Sequence, residues 1–274
     1  MVTTRLQWAA HFFGLILVLL IALFPFFWMV SSSFKDQTTL LSSPPVWFFM
    51  PSLANYQELF ADQKILVAVL NSLIVAVSTT ALSIILGTPA AFALARYEFR
   101  GKSDLWFWFI SNRMISPIVL ALPVYIIARQ VGLLNTHLSL ILIYLTFNLP
   151  IVVWICTDQF RGIPADIEQA ARLDGVNQFN IFLRIYLPLG LPGVAVSAIF
   201  AFIFSWNELL YGLVLITSQE LKTAPVVATN FMSGYELPWG KIMATGTVIV
   251  LPVIIFALLV SRHMVRGLTM GATK

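Results

Sequence analysis

The chain has 274 residues, of which 59% are hydrophobic and 10% charged, and its mean hydropathy is +0.89. Soluble globular domains carry about 25% charged residues, so the solvent of this chain is largely lipid and a water-soluble globular protein is excluded. The formal charge of +4 comes from basic residues gathered at the edges of apolar runs, as membrane topology requires, and does not indicate nucleic-acid binding.

A transmembrane helix needs about 20 consecutive apolar residues. In chain order such runs occur at 9–34, 65–95, 105–129, 138–158, 189–217 and 242–262, the third containing Arg113 and the fifth Glu208. Six spans are expected, and with them an all-α integral membrane protein. The first run is too long for a removed secretory peptide and is expected to remain as an anchor. Between spans one and two, Ser42-Ser43-Pro44-Pro45, Pro51-Ser52 and the aromatics Trp47, Phe48 and Phe49 suggest an irregular segment at the membrane interface. The connections at 96–102 and 132–137 are short hairpins. No repeat or flexible linker divides the chain, so one membrane domain is expected over 1–274.

Orientation follows from the basic residues. Arg5, Arg96, Arg100, Lys102, Arg161, Arg172, Arg184, Arg262, Arg266 and Lys274 fall on one side of the spans; Lys35, Lys64, Arg129, Lys222 and Lys241 fall on the other. The richer side is expected to be cytoplasmic. It holds both termini and the segment at 159–188.

That segment is a polar island between spans four and five. Asp166 to Leu173 are good helix formers, Gly175 can end a helix with a positive φ, and Asn177 can cap the next one. The spacing Gln169-Ala170-Ala171, three residues, Gly175, nine residues, Ile185, one residue, Leu187-Pro188 resembles the EAA loop of ABC-transporter permeases. One letter departs: the family's glutamate is Gln169 here, with Glu168 just before it. The run from Asn71 through Lys102, the hairpin at 132–137, Ser205-Trp206-Asn207-Glu208, Trp239-Gly240 and the tail from Gly267 also resemble the carbohydrate-uptake branch of that family, the smaller maltose-type subunit above all.

The resemblance implies a bacterial-type cytoplasmic membrane and a permease half paired with a second homologous permease. It further implies two cytoplasmic ATPase subunits docked on the island and an extracytoplasmic solute-binding protein delivering a sugar, polyol or similar hydroxylated solute. Glu168, Gln169, Ala170, Ala171, Asp174, Gly175, Ile185, Leu187 and Pro188 would then form the coupling surface. Without the charge at 169, either Glu168 takes over an ion pair with the ATPase or docking relies on shape. The tail would reach the ATPase dimer interface. The loop at 218–241, with Pro225, Gly234 and Tyr235, would meet the binding protein.

Ionisable and amide groups within spans point to function. Trp206, Asn207 and Glu208 suit a solute path, since an aromatic face stacks on a sugar ring and the oxygens accept from hydroxyls; the alternative is that they join two permease subunits. Asn148 and Arg113 are further path candidates. At 1.5 Å per residue Arg113 and Glu208 lie about 12 and 27 Å from the cytoplasmic edge, too far apart to pair, so Arg113 is expected to snorkel or to meet a carboxylate such as Asp158. His11, His137 and His263 fall on different elements, so no metal site is expected. With no GxxxxGK[ST] loop the chain has no phosphate loop of its own: it is expected to be a transporter subunit rather than an enzyme, to bind no cofactor, and to draw on ATP and Mg held by partner ATPases. A self-sufficient secondary transporter is the alternative, and it requires coupling-ion residues on broken, repeat-related helices.

Overall fold

The computed structural model describes residues 5–61, 64–232 and 237–271, and among these no strand occurs. The residues fall into two units, one drawn from the first 65 residues with 228–250, the other from 66–227 with the chain from 251 onward.

The first unit contains α1 (Arg5–Ser33), α2 (Gln37–Leu40) and α3 (Ala54–Ala61). Large side chains on all sides of α1, among them Phe12, Leu20 and Ile21, are uncovered, as a lipid-facing helix requires. The chain turns sharply after α1 because Lys35 is drawn inward. Its buried ammonium donates to the Val46 carbonyl at 2.9 Å and lies 4.7 and 4.9 Å from the Trp28 and Phe49 ring centroids, which stabilise the cation without a carboxylate.

The second unit is built from α4 (Lys64–Arg96), α5 (Lys102–Asn112), α6 (Pro117–Gln130), α7 (His137–Arg161), α8 (Ala165–Leu173) and α9 (Gln178–Ile181). A π turn (Phe182–Tyr186) leads into α10 (Leu187–Leu189), α11 (Leu191–Trp206), α12 (Leu210–Leu215) and α13 (Ala224–Thr229). The last helix, α14 (Trp239–Gly271), contributes residues to each unit.

Among the described residues four helices are long and apolar enough to cross a membrane: those at His11–Ser33, Lys64–Arg96, His137–Arg161 and Trp239–Val260. The third and fifth expected spans differ from single helices. The third bends by 98° between α5 and α6. Ser116 takes an extended conformation there because Pro117 disfavours helix in the residue before it, and Arg113 sits at the C-cap of α5. The fifth, expected over 189–217, is interrupted because α11 stops at Trp206 after 16 residues, and the island segment 178–189 before it meets α11 at 77°. By length and composition the described residues thus offer four continuous candidate spans, or up to six if each bent pair is one crossing.

Two buried clusters hold the second unit together. Ala91, Phe92, Val152, Cys156, Phe160, Ile181, Phe182, Tyr186 and Val194 pack around the Arg96 end of α4. Val75, Leu140, Tyr144, Tyr211 and Leu215 pack nearer its other end. Between them α4 approaches α7 closely, for a Cβ on Gly87 would lie 2.7 Å from Val152 Cγ1. Overpacking such a contact costs about 1–3 kcal/mol. Gly87→Val is therefore expected to lower the thermal stability of the purified protein by several degrees, and Val152→Ala in the same chain to recover part of the loss, as read by thermal unfolding in detergent.

Candidate functional site

The polar island forms a helix, a glycine turn and a second helix. Asp166 and Glu168 occupy the first turn of α8 and Arg172 its last turn, the polarity that complements the helix dipole. Gly175 ends it at φ 75. The Gly175 amide donates to the Arg172 carbonyl and the Val176 amide to that of Ala171, both at 3.0 Å, which is the Schellman arrangement. Asn177 then caps α9, its Oδ1 accepting from the Asn180 amide at 2.9 Å. Pro188 has no N–H for the Arg184 carbonyl and its ring crowds that oxygen. The widened π turn lies immediately before it, with the Leu187 amide donating to the Phe182 carbonyl.

Helical geometry divides the motif between two faces. Asp166, Gln169, Ala170 and Leu173, at i, i+3, i+4 and i+7, are exposed; Leu173 is 89% exposed, and Phe179 on α9 is 69% exposed. Glu168 and Ala171 point the other way and are buried. Asp174 and Gly175 are exposed, Ile185 and Leu187 are half-buried against the aromatic cluster, and Pro188 is exposed.

Glu168 is fully engaged within the chain. Its Oε2 accepts from Arg96 Nε at 2.8 Å and from the Tyr186 hydroxyl at 2.7 Å, while Oε1 accepts from Arg172 Nε at 3.1 Å and Nη2 at 2.5 Å. The Arg96 guanidinium also lies 5.2 Å from the Tyr186 ring centroid, and that ring packs on Phe92 and Phe160. Burial pushes the Glu168 carboxyl up, but the hydrogen bonds from Tyr186, Arg96 and Arg172 outweigh it and bring its pKa below the ordinary value. In this structure both carboxylate oxygens of Glu168 are turned into the chain. One position along a helix rotates a side chain by about 100°, so of the two residues Gln169 alone faces outward.

Beside Arg96, the Tyr97 hydroxyl is hydrogen-bonded to the Gln178 side chain. The end of α4 thus grips both α8 and α9. In the sequence Arg96 stands out only as a basic residue at the end of an apolar run, since its partner lies 72 positions away.

The expected path residues separate in the same way. Asn148 is fully buried and donates to Ser205 Oγ at 2.8 Å. Trp206 is 1% exposed and stacks on Phe202. The Asn148–Ser205 bond joins α7 to α11, while the Trp206 stack lies within α11. Asn207 is exposed. Glu208, half-buried beside it, accepts from the Tyr144 hydroxyl at 2.7 Å and from the Tyr211 amide at 3.1 Å, capping α12. Arg113 lies 4.9 Å from the Phe204 ring centroid, whereas Asp158 pairs with Arg161 at 3.7 Å and not with Arg113.

At the opposite end of α4, Asn71 Nδ2 donates to the Glu220 and Lys222 carbonyls at 2.7 and 3.0 Å, and Ser72 Oγ accepts from the Ala224 amide at 2.8 Å. Asn135 holds the start of the same loop, its Oδ1 accepting from the Thr217 and Ser218 amides. Pro225 lies half-buried in α13; Gly234 and Tyr235 lie outside the described residues.

Several apolar helices, two of them broken around polar side chains, together with a charged helix–turn–helix, define a multi-pass membrane transport subunit. Residues 83–270 match the family described as binding-protein-dependent transport system inner membrane component, and the chain belongs to that family. It is 38% identical over 258 residues to the trehalose transport system permease protein SugB of Mycobacterium tuberculosis, covering 92% of this chain and 93% of that one. It is 33% identical over 264 residues to the trehalose/maltose transport system permease protein MalG of Thermococcus litoralis, covering 95% of each. Among solved structures, a bacterial ABC transporter involved in import of the acidic polysaccharide alginate has the same fold, with a TM-score of 0.76 at 21% identity over 96% of this chain and 99% of that one. The chain is accordingly a permease subunit of a binding-protein-dependent importer and not an enzyme.

With a native pKa below its unfolded value, Glu168 stabilises the island fully above the ordinary glutamate pKa of about 4.3, and that contribution is lost as pH falls through the lowered value. Hydrogen-exchange protection of 165–173, corrected for intrinsic rates, is expected to hold from about pH 7 to about pH 4.3 and to fall below it. In Glu168→Gln that acid step should be absent and protection lower throughout.

Proposed function

We propose that this chain forms half of the translocation pathway of an ATP-driven importer for a sugar, polyol or similar hydroxylated solute. It would act as one membrane domain of six crossings, with the polar island and both termini on the cytoplasmic side of the inner membrane. A second homologous permease completes the pathway. Two ATPase subunits, which hold ATP and Mg, dock on the island, and an extracytoplasmic binding protein delivers the solute. The carbohydrate class is supported by the relatives, which include permeases for trehalose, trehalose/maltose and diacetylchitobiose.

The observation that carries the coupling reading is the outer face of α8. Gln169 and Ala170 present a small, uncharged surface flanked by the uncovered apolar side chains of Leu173 and Phe179. Such a surface seats in a cleft by shape, and a charge at position 169 is dispensable to it. Glu168, Ala171, Asp174, Gly175, Ile185, Leu187 and Pro188 back this face and set its angle. On the solute side, Asn207 offers an amide to hydroxyls while Glu208 and Arg113 shape the broken helices beside it. The loop containing Pro225, Gly234 and Tyr235 would meet the binding protein.

The test is reconstitution of this permease with its partner permease, the ATPase pair and the binding protein, followed by uptake of labelled disaccharides, monosaccharides, polyols and glycerol-type solutes. Ala170→Trp and Leu173→Glu are expected to weaken ATPase association by about tenfold, or about 1.4 kcal/mol, with membrane insertion intact. Unaltered co-purification and uptake in both variants would remove the coupling assignment. Asn207→Leu is expected to slow uptake at least severalfold while the ATPase subunits remain bound; uptake equal to wild type would take Asn207 off the path.

A further inference from the structure

We infer that α4 is a strut joining the cytoplasmic coupling loop to the external loop at 218–224, with Arg96 and Asn71 as positioning residues at its two ends. The inference rests on the importer reading above and assigns it a route between its two faces. At one end Arg96 holds Glu168 of α8, and Tyr97, the next residue, holds Gln178 of α9. At the other end Asn71 donates to two carbonyls of the loop, Glu220 and Lys222, and Ser72 accepts from Ala224. Both sets of partners lie far away in sequence, so neither is a by-product of local folding. Asn71 is 5% exposed and the Arg96 side chain 14% exposed. Water therefore competes poorly for these bonds.

The 25 residues from Asn71 to Arg96 span about 37 Å at 1.5 Å per residue, more than the roughly 30 Å hydrocarbon core of a bilayer. A single helix therefore carries polar attachments outside both faces of the core. Along its length it is seated on α7 at Gly87, where the Val152 side chain packs so close that a Cβ would lie 2.7 Å from its Cγ1. An ATPase that shifts α8 must move the Arg96 end of α4 or break a buried ion pair. Moving α4 as a rod shifts the Asn71 end, and with it the loop, which is also held at its start by Asn135. A loaded binding protein pressing on that loop acts along the same rod in reverse. Coupling free energies carry the same magnitude in both directions.

The experiment measures the ATPase rate of the assembled importer in nanodiscs as loaded binding protein is titrated, yielding a maximal stimulation and a half-stimulating concentration. Stimulation in the wild-type complex tests the importer reading itself: its absence would sink that reading before the strut is addressed. Given stimulation, Arg96→Met and Asn71→Leu are each expected to lower its maximum by about 2- to 30-fold, with the ATPase subunits still co-purifying. Because both act on one element, the double variant is expected to lose no more than the worse single variant, and Arg96→Lys, which keeps the charge, to retain most of the maximum. The strut is overturned if either variant keeps full maximal stimulation, or if only the half-stimulating concentration rises, which marks a docking surface. It is equally overturned if the two losses multiply independently, or if Arg96→Met sheds the ATPase subunits. Should Arg96→Met fail to accumulate in the membrane, Asn71→Leu decides by the same two readouts.

Discussion

The structure depends on a carboxylate buried where the polar island meets the helix bundle. Removing the charge of Glu168 from water is costly, and the cost is offset only because Arg96, Arg172 and the Tyr186 hydroxyl all converge on its two oxygens. Losing one member of a buried pair costs about 3–5 kcal/mol, whereas an exposed pair contributes at most about 1 kcal/mol. That comparison settles which acidic position in the motif matters more to this chain's own architecture. Glu168 fixes the orientation of α8 on the end of α4, and Gln169 occupies a surface where a charge would stabilise little until a partner arrives. The buried glutamate at 168 and the exposed glutamine at 169 thus follow one geometry, the rotation of neighbouring side chains around α8.

A second constraint is the treatment of polar groups inside an apolar chain. In hydrocarbon a polar group is costly without a partner, and here some of the partners come from breaks in helices. The interruption after α11 frees the amides of Tyr211 and Gly212, and Glu208 takes them up while also accepting from Tyr144. Asn148 meets Ser205 across α7 and α11. Arg113, at the bend between α5 and α6, lies over the face of Phe204, an arrangement that stabilises a guanidinium without an anion. The breaks and the polar residues explain each other: a continuous helix would consume the amides that Glu208 needs.

Much of this was legible in the sequence, and the divisions are physical. The charge-free runs at 65–95 and 138–157 correspond to α4 and α7, because length and hydropathy alone determine whether a helix can lie in lipid. Gly175 and Asn177 announced the turn and the following cap through local backbone chemistry, and both occur. What a one-dimensional reading missed is which side of a helix a residue faces once the helix has docked. Glu168 and Gln169 are neighbours in sequence but face opposite ways, and Trp206 and Asn207 differ in the same manner. Arg96 and Asn71 were invisible for another reason: their partners lie 72 and about 150 positions away, and no local pattern encodes such contacts. The bent third span was half visible, since Pro117 and Arg113 both argued against a continuous helix over 105–129.

A proline in the middle of α4 bears on whether this helix can transmit displacement at all. Pro89 lacks the N–H that would bond the Ile85 carbonyl, and such a site is ordinarily where a helix flexes. In this chain α7 splints it. Gly87, two residues before the proline, lies against Val152, and Ala91, two residues after it, is completely buried in the cluster that contains Val152 and Cys156. Bending at Pro89 would therefore have to open a close-packed contact on both sides of the proline. Close-packed interfaces switch between discrete arrangements rather than deforming continuously, so α4 moves together with α7 as one body, and a proline that would weaken an isolated rod is compatible with a rigid one.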